Sequence, residues 1–395
     1  MKSILENKAY LYLICLFLGI ITSFSLPPYN FVFLNFLSLP TLLYILINYT
    51  HKKIISFFVG WVFGFGYFIS NLYWITNSLT FDVNFKLIIP FALILIPLFL
   101  GIFYGLVTFL SSLFNLKNKL SSVLIFSIFF GGIEFLRSFI LGGFPWNLLV
   151  FSVSNNLPSL QILSYVGTYS LNLLSITIFL LPIIFFHKYK SSAAVIFFCF
   201  GLILVVINYS YGYFNIKNFE KKKYDKLDSV IRVVSPKVPI ERFLTNQSPE
   251  KNIDELLTLS DPNKSEKKIF IFPEGIITSI YFRDLKFFKN IFKKKFNANH
   301  KVILGINSIK ENKIYNSLVV LNSDTELLYK YNKNKLVPFG EFLPFENFFK
   351  RVGLKKITQG YQSFSADNKR EILNIDKIKF IPLICYEIIY SGKIN

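Results

Sequence analysis

Residues 269–275 read Ile269-Phe270-Ile271-Phe272-Pro273-Glu274-Gly275: an apolar run, ended by proline, with a carboxylate at its carboxyl end. Such a run predicts a strand buried on at least one face. Ligands of α/β sheets bind at the carboxyl ends of strands, which makes Glu274 a candidate site residue. The alternative is a solvated glutamate in a Pro-Glu-Gly turn. Working outward, strand-like runs fall at 230–234, 268–272, 302–306, 317–321 and 378–384. Lys-rich amphipathic stretches such as 284–296 lie between them. Strands alternating with helical stretches predict an α/β domain.

Further out, the composition changes. The whole chain has 395 residues, 53% hydrophobic and 17% charged, with a formal net charge of +20. Soluble chains carry about 25% charged residues. Residues 1–215 hold only 10 Lys/Arg and 3 Asp/Glu, whereas 216–395 hold 33 and 20. An apolar domain (1–215) is therefore joined to a charged domain (216–395) long enough to bury its own core. The lysines of the second half are mixed with acids and not gathered in a stripe, which argues against a nucleic-acid partner and fits a solvated or lipid-facing surface. Cys15, Cys199 and Cys385 form no disulfide framework, and His51, His187 and His300 are too few for a His-rich metal site or a Ser-His-Asp triad. No metal and no cofactor is expected.

Seven segments of the first half approach the roughly 20 apolar residues that cross a bilayer: about 9–26, 31–48, 54–76, 87–113, 121–138, 160–186 and 192–210. Lys2, Lys8, Lys52, Lys53, Lys117, Lys119, Lys188 and Lys190 fall in alternate connections, while the opposite loops carry only Lys86 and, at a span end, Arg137. Positive charge accumulates on the cytoplasmic side, so the N-terminus is expected inside and the charged half outside, the periplasm in a Gram-negative cell. Glu134 and Arg137 share one helix face, and Gly143-Phe144-Pro145-Trp146 follows. They read either as a helix-end ion pair snorkelling to the interface with Trp146 as anchor, or as part of a lipid or substrate groove.

Two more stretches of the charged half carry reactive groups. Residues 331–341 combine Lys333, Lys335, a Pro-Phe-Gly turn and Glu341; residues 380–387 place Cys385 after an apolar run, followed by Tyr386 and Glu387. A surface loop and a buried structural cysteine are the bland alternatives. Taken with Glu274, they suffice for acyl transfer. A carboxylate takes the thiol proton, the thiolate attacks, and an ammonium stabilises the oxyanion.

At these residues the sequence resembles the carbon–nitrogen hydrolase (nitrilase) superfamily and, within it, the membrane-integral apolipoprotein N-acyltransferase family. The resemblance rests on Gly64-Phe65-Gly66-Tyr67-Phe68, Tyr73-Trp74-Ile75, Glu134-Phe135-Leu136-Arg137-Ser138, Gly143-Phe144-Pro145-Trp146, Pro273-Glu274-Gly275, Tyr315-Asn316-Ser317, the 331–341 block and Cys385-Tyr386-Glu387. It implies a four-layer αββα sandwich on a bundle of eight membrane helices. Its motif places the general base at Glu274, the lysine at Lys333 (not Lys335) and the nucleophile at Cys385. Glu341, Tyr386 and Glu387 are the implied supporting residues, and Glu134, Arg137 and Trp146 a possible substrate groove.

The implied reaction moves an acyl chain from a phospholipid, typically phosphatidylethanolamine, through a Cys385 thioester to the amine of a diacylglyceryl apolipoprotein in the bacterial inner membrane. Two departures stand out: Ser235-Pro236-Lys237 where the family often has Gln-Gly-Asn, and Phe243 where a tryptophan is common. The chain also ends ten residues after Cys385, where the family continues with further strands and a last membrane helix, so a truncated and inactive relative is one expectation. A membrane-anchored amidase with the same triad, and a transporter or scaffold with an extracytoplasmic binding domain, are the others.

Overall fold

A computed structural model describes residues 5–80, 83–117, 120–186, 192–224, 226–237, 248–263, 265–343 and 363–390. Lys2, Lys119, His187, Lys188, Lys190 and Phe243 lie outside the described residues. Two compact units divide the chain, Met1–Lys222 and Lys223–Asn395.

The first unit is helical. Its long helices are α1 (Lys8–Ser23), α2 (Asn35–Tyr49), α3 (Lys53–Leu72), α4 (Ile89–Ser111), α5 (Ser121–Arg137), α6 (Leu163–Leu180) and α7 (Ser192–Lys221). Each falls on one of the seven apolar segments of the sequence. Among the described residues, five stretches are long and apolar enough to cross a membrane: Val32–Tyr49, Lys53–Leu79, Phe85–Ser111, Leu163–Phe185 and Ser192–Lys221. With 16 and 17 residues, α1 and α5 are shorter than a typical span.

Helices α3 and α4 pack backbone to backbone. A Cβ on Gly64 would sit 2.8 Å from the Cα of Gly101, so only hydrogen fits there. Aromatic side chains fill the interior, with Phe63, Tyr67, Phe68, Tyr104, Phe126 and Phe130 buried. Val195, Ile196, Phe200, Val206 and Phe214 of α7 point outward. Such a rim is costly in water and natural in lipid. Helix α7 runs through residue 215 to Lys221, so the helical unit extends past the boundary drawn from composition.

The second unit is built on a five-stranded sheet of β1 (Val230–Val233), β2 (Lys268–Ile271), β3 (His300–Lys310), β4 (Lys313–Leu321) and β5 (Leu327–Asn332), in that spatial order. Strands β1, β2 and β3 are parallel; β3–β4 and β4–β5 are antiparallel. Helix α8 (Pro249–Leu259) connects the first parallel pair, and α9 (Lys289–Lys295) with a preceding 3-10 segment connects the second. The β3–β4 turn is Glu311-Asn312, both at positive φ, as a two-residue hairpin with right-twisted strands requires.

Alternation along the strands sorts the two faces. Phe270, Val302, Leu304 and Val319 pack with Leu256, Leu257 and Phe292 of the helices. Ile269, Ile303 and Val320 pack on the ribbon of β6 (Leu373–Ile375) and β7 (Ile378–Phe380). Among the described residues this sheet and ribbon are the strand structure, and a second large sheet is not among them.

One expected strand is shorter than its sequence suggested. The run 378–384 is a strand only to Phe380, because Pro382 has no N–H to give a ladder. Cys385 instead opens a 3-10 turn, Cys385–Ile389.

Candidate active site

Four chain segments converge on one cluster. Strand β2 delivers the first: Phe272 extends its pairing by donating to Ile303 O at 2.9 Å, and Pro273 then ends the ladder and turns Glu274 out. Gly305 of β3 makes room for that turn. A Cβ there would lie 2.6 Å from both Glu274 Cα and Pro273 O. Strand β5 delivers Lys333, whose backbone N–H donates to Asn316 O of β4 at 2.9 Å.

The Pro-Phe-Gly turn delivers Glu341, which closes on itself. Its N–H donates to Val337 O, and its Oε2 accepts from Val337 N, both at 2.9 Å. The 3-10 turn delivers Cys385, held at φ +49°. A side chain there costs about 1–3 kcal/mol of local strain, a cost carried where surrounding contacts over-determine the backbone.

The Lys333 ammonium lies between two carboxylates, 3.3 Å from Glu274 Oε1 and 3.0 Å from Glu341 Oε1. It is 1% exposed, so these partners, and not water, must satisfy it. Asn316 Nδ2 donates to the same two oxygens, at 2.6 Å to Glu274 and 3.0 Å to Glu341. Cys385 and Glu274 line the same cavity, near enough for the carboxylate to act on the thiol. A cavity of about 220 Å³ opens among Phe272, Glu274, Gly305, Asn316, Leu383 and Cys385.

The charges answer to this geometry. Burial opposes the Lys333 ammonium, but the carboxylates of Glu274 and Glu341 outweigh it and hold its pKa above the usual lysine range. Burial pushes the Cys385 thiol up, and the Glu274 carboxylate pushes it further; Lys333 and the Tyr386 backbone N–H pull it partly back. At neutral pH Cys385 is therefore held as a thiol, and a thiol becomes a nucleophile only when a base removes its proton.

Glu387 is buried beneath the turn. Its Oε1 accepts from Tyr331 OH (2.7 Å), Asn334 N (2.9 Å), Lys335 N (3.1 Å) and Arg370 Nη2 (2.9 Å), and its Oε2 from Ile384 N (2.8 Å). It ties the residues after Lys333 to the residue before Cys385. Tyr386 stacks edge-on to Tyr390, with centroids 5.3 Å apart. Lys335 sends its ammonium over the Tyr390 ring, 6.0 Å from the centroid.

Glu274, Lys333, Glu341 and Cys385 thus come together in the second unit, with Glu387 buried beneath the Cys385 turn and Tyr386 packed on Tyr390. Glu134, Arg137 and Trp146 belong to the first. Glu134 and Arg137 are 3.7 Å apart and fully buried, so Arg137 does not snorkel to an interface. Glu134 accepts from Tyr104 OH at 2.8 Å and Asn172 Nδ2 at 2.6 Å. Arg137 Nη1 donates to the carbonyls of Phe144 (3.0 Å) and Trp146 (2.9 Å), so the pair pins the Gly143-Phe144-Pro145-Trp146 loop from inside. Trp146 packs on Trp74, centroids 5.6 Å apart.

Comparison with known proteins agrees with both halves. Residues 18–181 match the apolipoprotein N-acyltransferase N-terminal domain, and residues 244–394 match the carbon-nitrogen hydrolase domain. The chain belongs to the apolipoprotein N-acyltransferase family. Its similarity to the family's curated members is end to end on this side. It is 28% identical to the apolipoprotein N-acyltransferase of Rhizobium rhizogenes, covering 97% of this chain and 75% of that one. Against the enzyme of Agrobacterium fabrum it is 27% identical over 95% and 74%, and against that of Rickettsia prowazekii 28% over 96% and 75%. Family membership and five membrane-length helices make it a membrane protein.

Two side chains of the cluster had no role in the sequence reading. Asn316 lay inside a family-like motif, Tyr315-Asn316-Ser317, that named no function for it. Arg370 lay in 363–372, a polar stretch with no periodicity to mark it.

Proposed function

We propose that this protein is a lipoprotein N-acyltransferase working through a Cys385 thioester. The observation that carries this is the Lys333 ammonium between Glu274 and Glu341, with Glu274 and Cys385 lining one open cavity.

In the first half-reaction Glu274 takes the thiol proton and Cys385 Sγ attacks the ester carbonyl of a phospholipid, with phosphatidylethanolamine the expected donor. The C–S bond forms, and charge gathers on the carbonyl oxygen, where the Lys333 ammonium stabilises it. The ester C–O bond then breaks, and the proton held by Glu274 passes to the departing alkoxide, giving a lysophospholipid.

In the second half-reaction the α-amine of a diacylglyceryl-cysteine attacks the thioester. The C–N bond forms, the C–S bond breaks, and the amine proton returns through Glu274 to sulfur. Glu341 keeps Lys333 charged and in place. Glu387 and Tyr386 support the turn that carries the nucleophile.

Both substrates are lipid-anchored, so a membrane-held enzyme raises their effective concentration. The lysines at 8, 52, 53 and 117 support an inner-membrane orientation with the N-terminus cytoplasmic and the catalytic domain periplasmic.

The test uses the full chain in proteoliposomes with acyl-labelled phosphatidylethanolamine and a diacylated lipopeptide. Label is expected on Cys385, then on the peptide amine, and Cys385→Ala is expected to abolish both. Undiminished peptide acylation by Cys385→Ala overturns the thioester route. Free fatty acid with no acylated peptide makes the chain a hydrolase instead.

A further inference from the structure

Residues 364–370 run past three of the site's supports in succession. Phe364 N donates to Glu341 O (2.9 Å), Asp367 N to Lys333 O (3.1 Å), and Arg370 Nη2 to Glu387 Oε1 (2.9 Å). Arg370 is the last and chemically the most demanding of these contacts. Glu387 is a carboxylate with no exposed side-chain surface. Four backbone or phenol donors reach it, but a buried anion that keeps its charge needs an opposite charge as well as hydrogen bonds. Arg370 provides that charge, and among the described residues it is the cation that Glu387 pairs with.

The fork of Arg370 does more than neutralise. Nη2 also donates to Tyr331 OH at 3.0 Å, Nε reaches the same oxygen at 3.3 Å, and the guanidinium lies 5.7 Å from the Tyr331 ring centroid. Tyr331 OH in turn donates to Glu387. Arginine, tyrosine and glutamate therefore form a closed triangle with fixed angles, which a single-point ammonium does not reproduce.

The consequence falls on Cys385. Glu387 Oε2 holds the N–H of Ile384, the residue before the nucleophile, and Cys385 sits at positive φ. The same carboxylate holds the N–H groups of Asn334 and Lys335, the two residues after Lys333. One anion thus sets the separation of nucleophile and ammonium.

We propose that Arg370 is a positioning residue for the acyl-transfer site: it locks Glu387, and through Glu387 the backbone at Ile384-Cys385 and at Lys333-Asn334-Lys335. The proposal rests on the thioester route given above. It predicts that loss of Arg370 reduces the rate of the chemical step and leaves phospholipid binding alone.

The test is single-turnover transfer of labelled acyl chains from phosphatidylethanolamine vesicles to Cys385 by the full chain, with Arg370→Met, Arg370→Gln and Arg370→Lys. Removing a charged hydrogen bond to a buried carboxylate is expected to slow thioester formation about 10- to 100-fold in Arg370→Met, with the half-saturating phospholipid concentration within about twofold. Arg370→Lys should recover part of the rate because it restores the charge, and Arg370→Gln less.

If Arg370→Met does not yield a folded monodisperse protein, the order Lys above Gln decides. A wild-type rate in Arg370→Met, Gln equal to Lys, or a loss confined to half-saturation would each overturn the proposal. Iodoacetamide labelling of Cys385, read by mass spectrometry of its peptide, separates the two ideas. If the wild type forms no thioester, the thioester route fails, and an altered labelling rate in Arg370→Met still supports the positioning role while an unchanged one removes it.

Discussion

The Lys333 ammonium lies 3.0 Å from Glu341 Oε1, and both groups are buried. Sequence places them eight residues apart, on opposite sides of a Pro-Phe-Gly turn that closes through Val337. Glu341→Gln keeps the shape and removes the charge, leaving Lys333 with Glu274 alone. Unpairing a buried ion costs about 3–5 kcal/mol, and Glu274 offsets part of this. The expected outcome is a lower melting temperature in detergent and acyl transfer reduced by about 100-fold or more. Wild-type transfer by Glu341→Gln would remove Glu341 from the site.

The thiol supplies a pH test with a definite sign. Burial and then the Glu274 carboxylate raise the Cys385 pKa. Alkylation by iodoacetamide follows the thiolate, so in the wild type it rises only at pH values above the ordinary range near 8.5. Glu274→Gln removes a negative neighbour, which lowers the thiol pKa and moves the labelling curve to lower pH. Acyl transfer moves the opposite way and is lost, because the general base has gone. A labelling curve that does not move to lower pH in Glu274→Gln would mean that the Glu274 carboxylate does not act on the thiol.

The difference between what the sequence carried and what it hid is physical. Glu274 and Cys385 drew attention as reactive groups after apolar runs, whereas the choice of Lys333 over Lys335 and the role of Glu341 came from the family resemblance and not from local composition. The helices were legible as uninterrupted apolar runs. The strand drawn through 378–384 was too long because apolar composition outweighed one proline that the ladder does not tolerate. Arg370 was not legible at all. Its partner is 17 positions away, and a lone arginine in a polar stretch looks like solvated surface until the chain is folded. Of the two readings of Arg137, snorkelling does not match the structure, because the burial of this helix-end arginine depends on loop carbonyls from 144 and 146.

Asn316 is expected to matter through charge balance. Its amide donates to Glu274 and Glu341, so two carboxylates share one ammonium and one neutral donor. Asn316→Asp has almost the same shape and places a third acid against the pair. The mutual repulsion is relieved by protonating one carboxyl, and the base function of Glu274 suffers. Transfer should fall about 100-fold or more in Asn316→Asp and about 10-fold in Asn316→Ala, which loses only hydrogen bonds. Steady-state acylation of a lipopeptide measures both, and equal effects would mean that size and not charge decides.

Glu134 and Arg137 present the corresponding question inside the membrane unit. Both are fully buried, and Arg137 also serves the carbonyls of Phe144 and Trp146. Arg137→Met leaves Glu134 with Tyr104 and Asn172 but no cation, and leaves the loop carbonyls without their donor. Breaking one side of a buried pair costs about 3–5 kcal/mol, whereas replacing both sides is often nearly neutral. Glu134→Gln combined with Arg137→Met should therefore melt closer to wild type than Arg137→Met alone. The loop would still lack its anchor in the double variant, so activity should stay low after stability returns. That split, read by thermal melting and acyl transfer on the same purified samples, separates a charge buried for stability from one retained to hold Trp146 in place. Recovery of both together would assign the pair to stability alone.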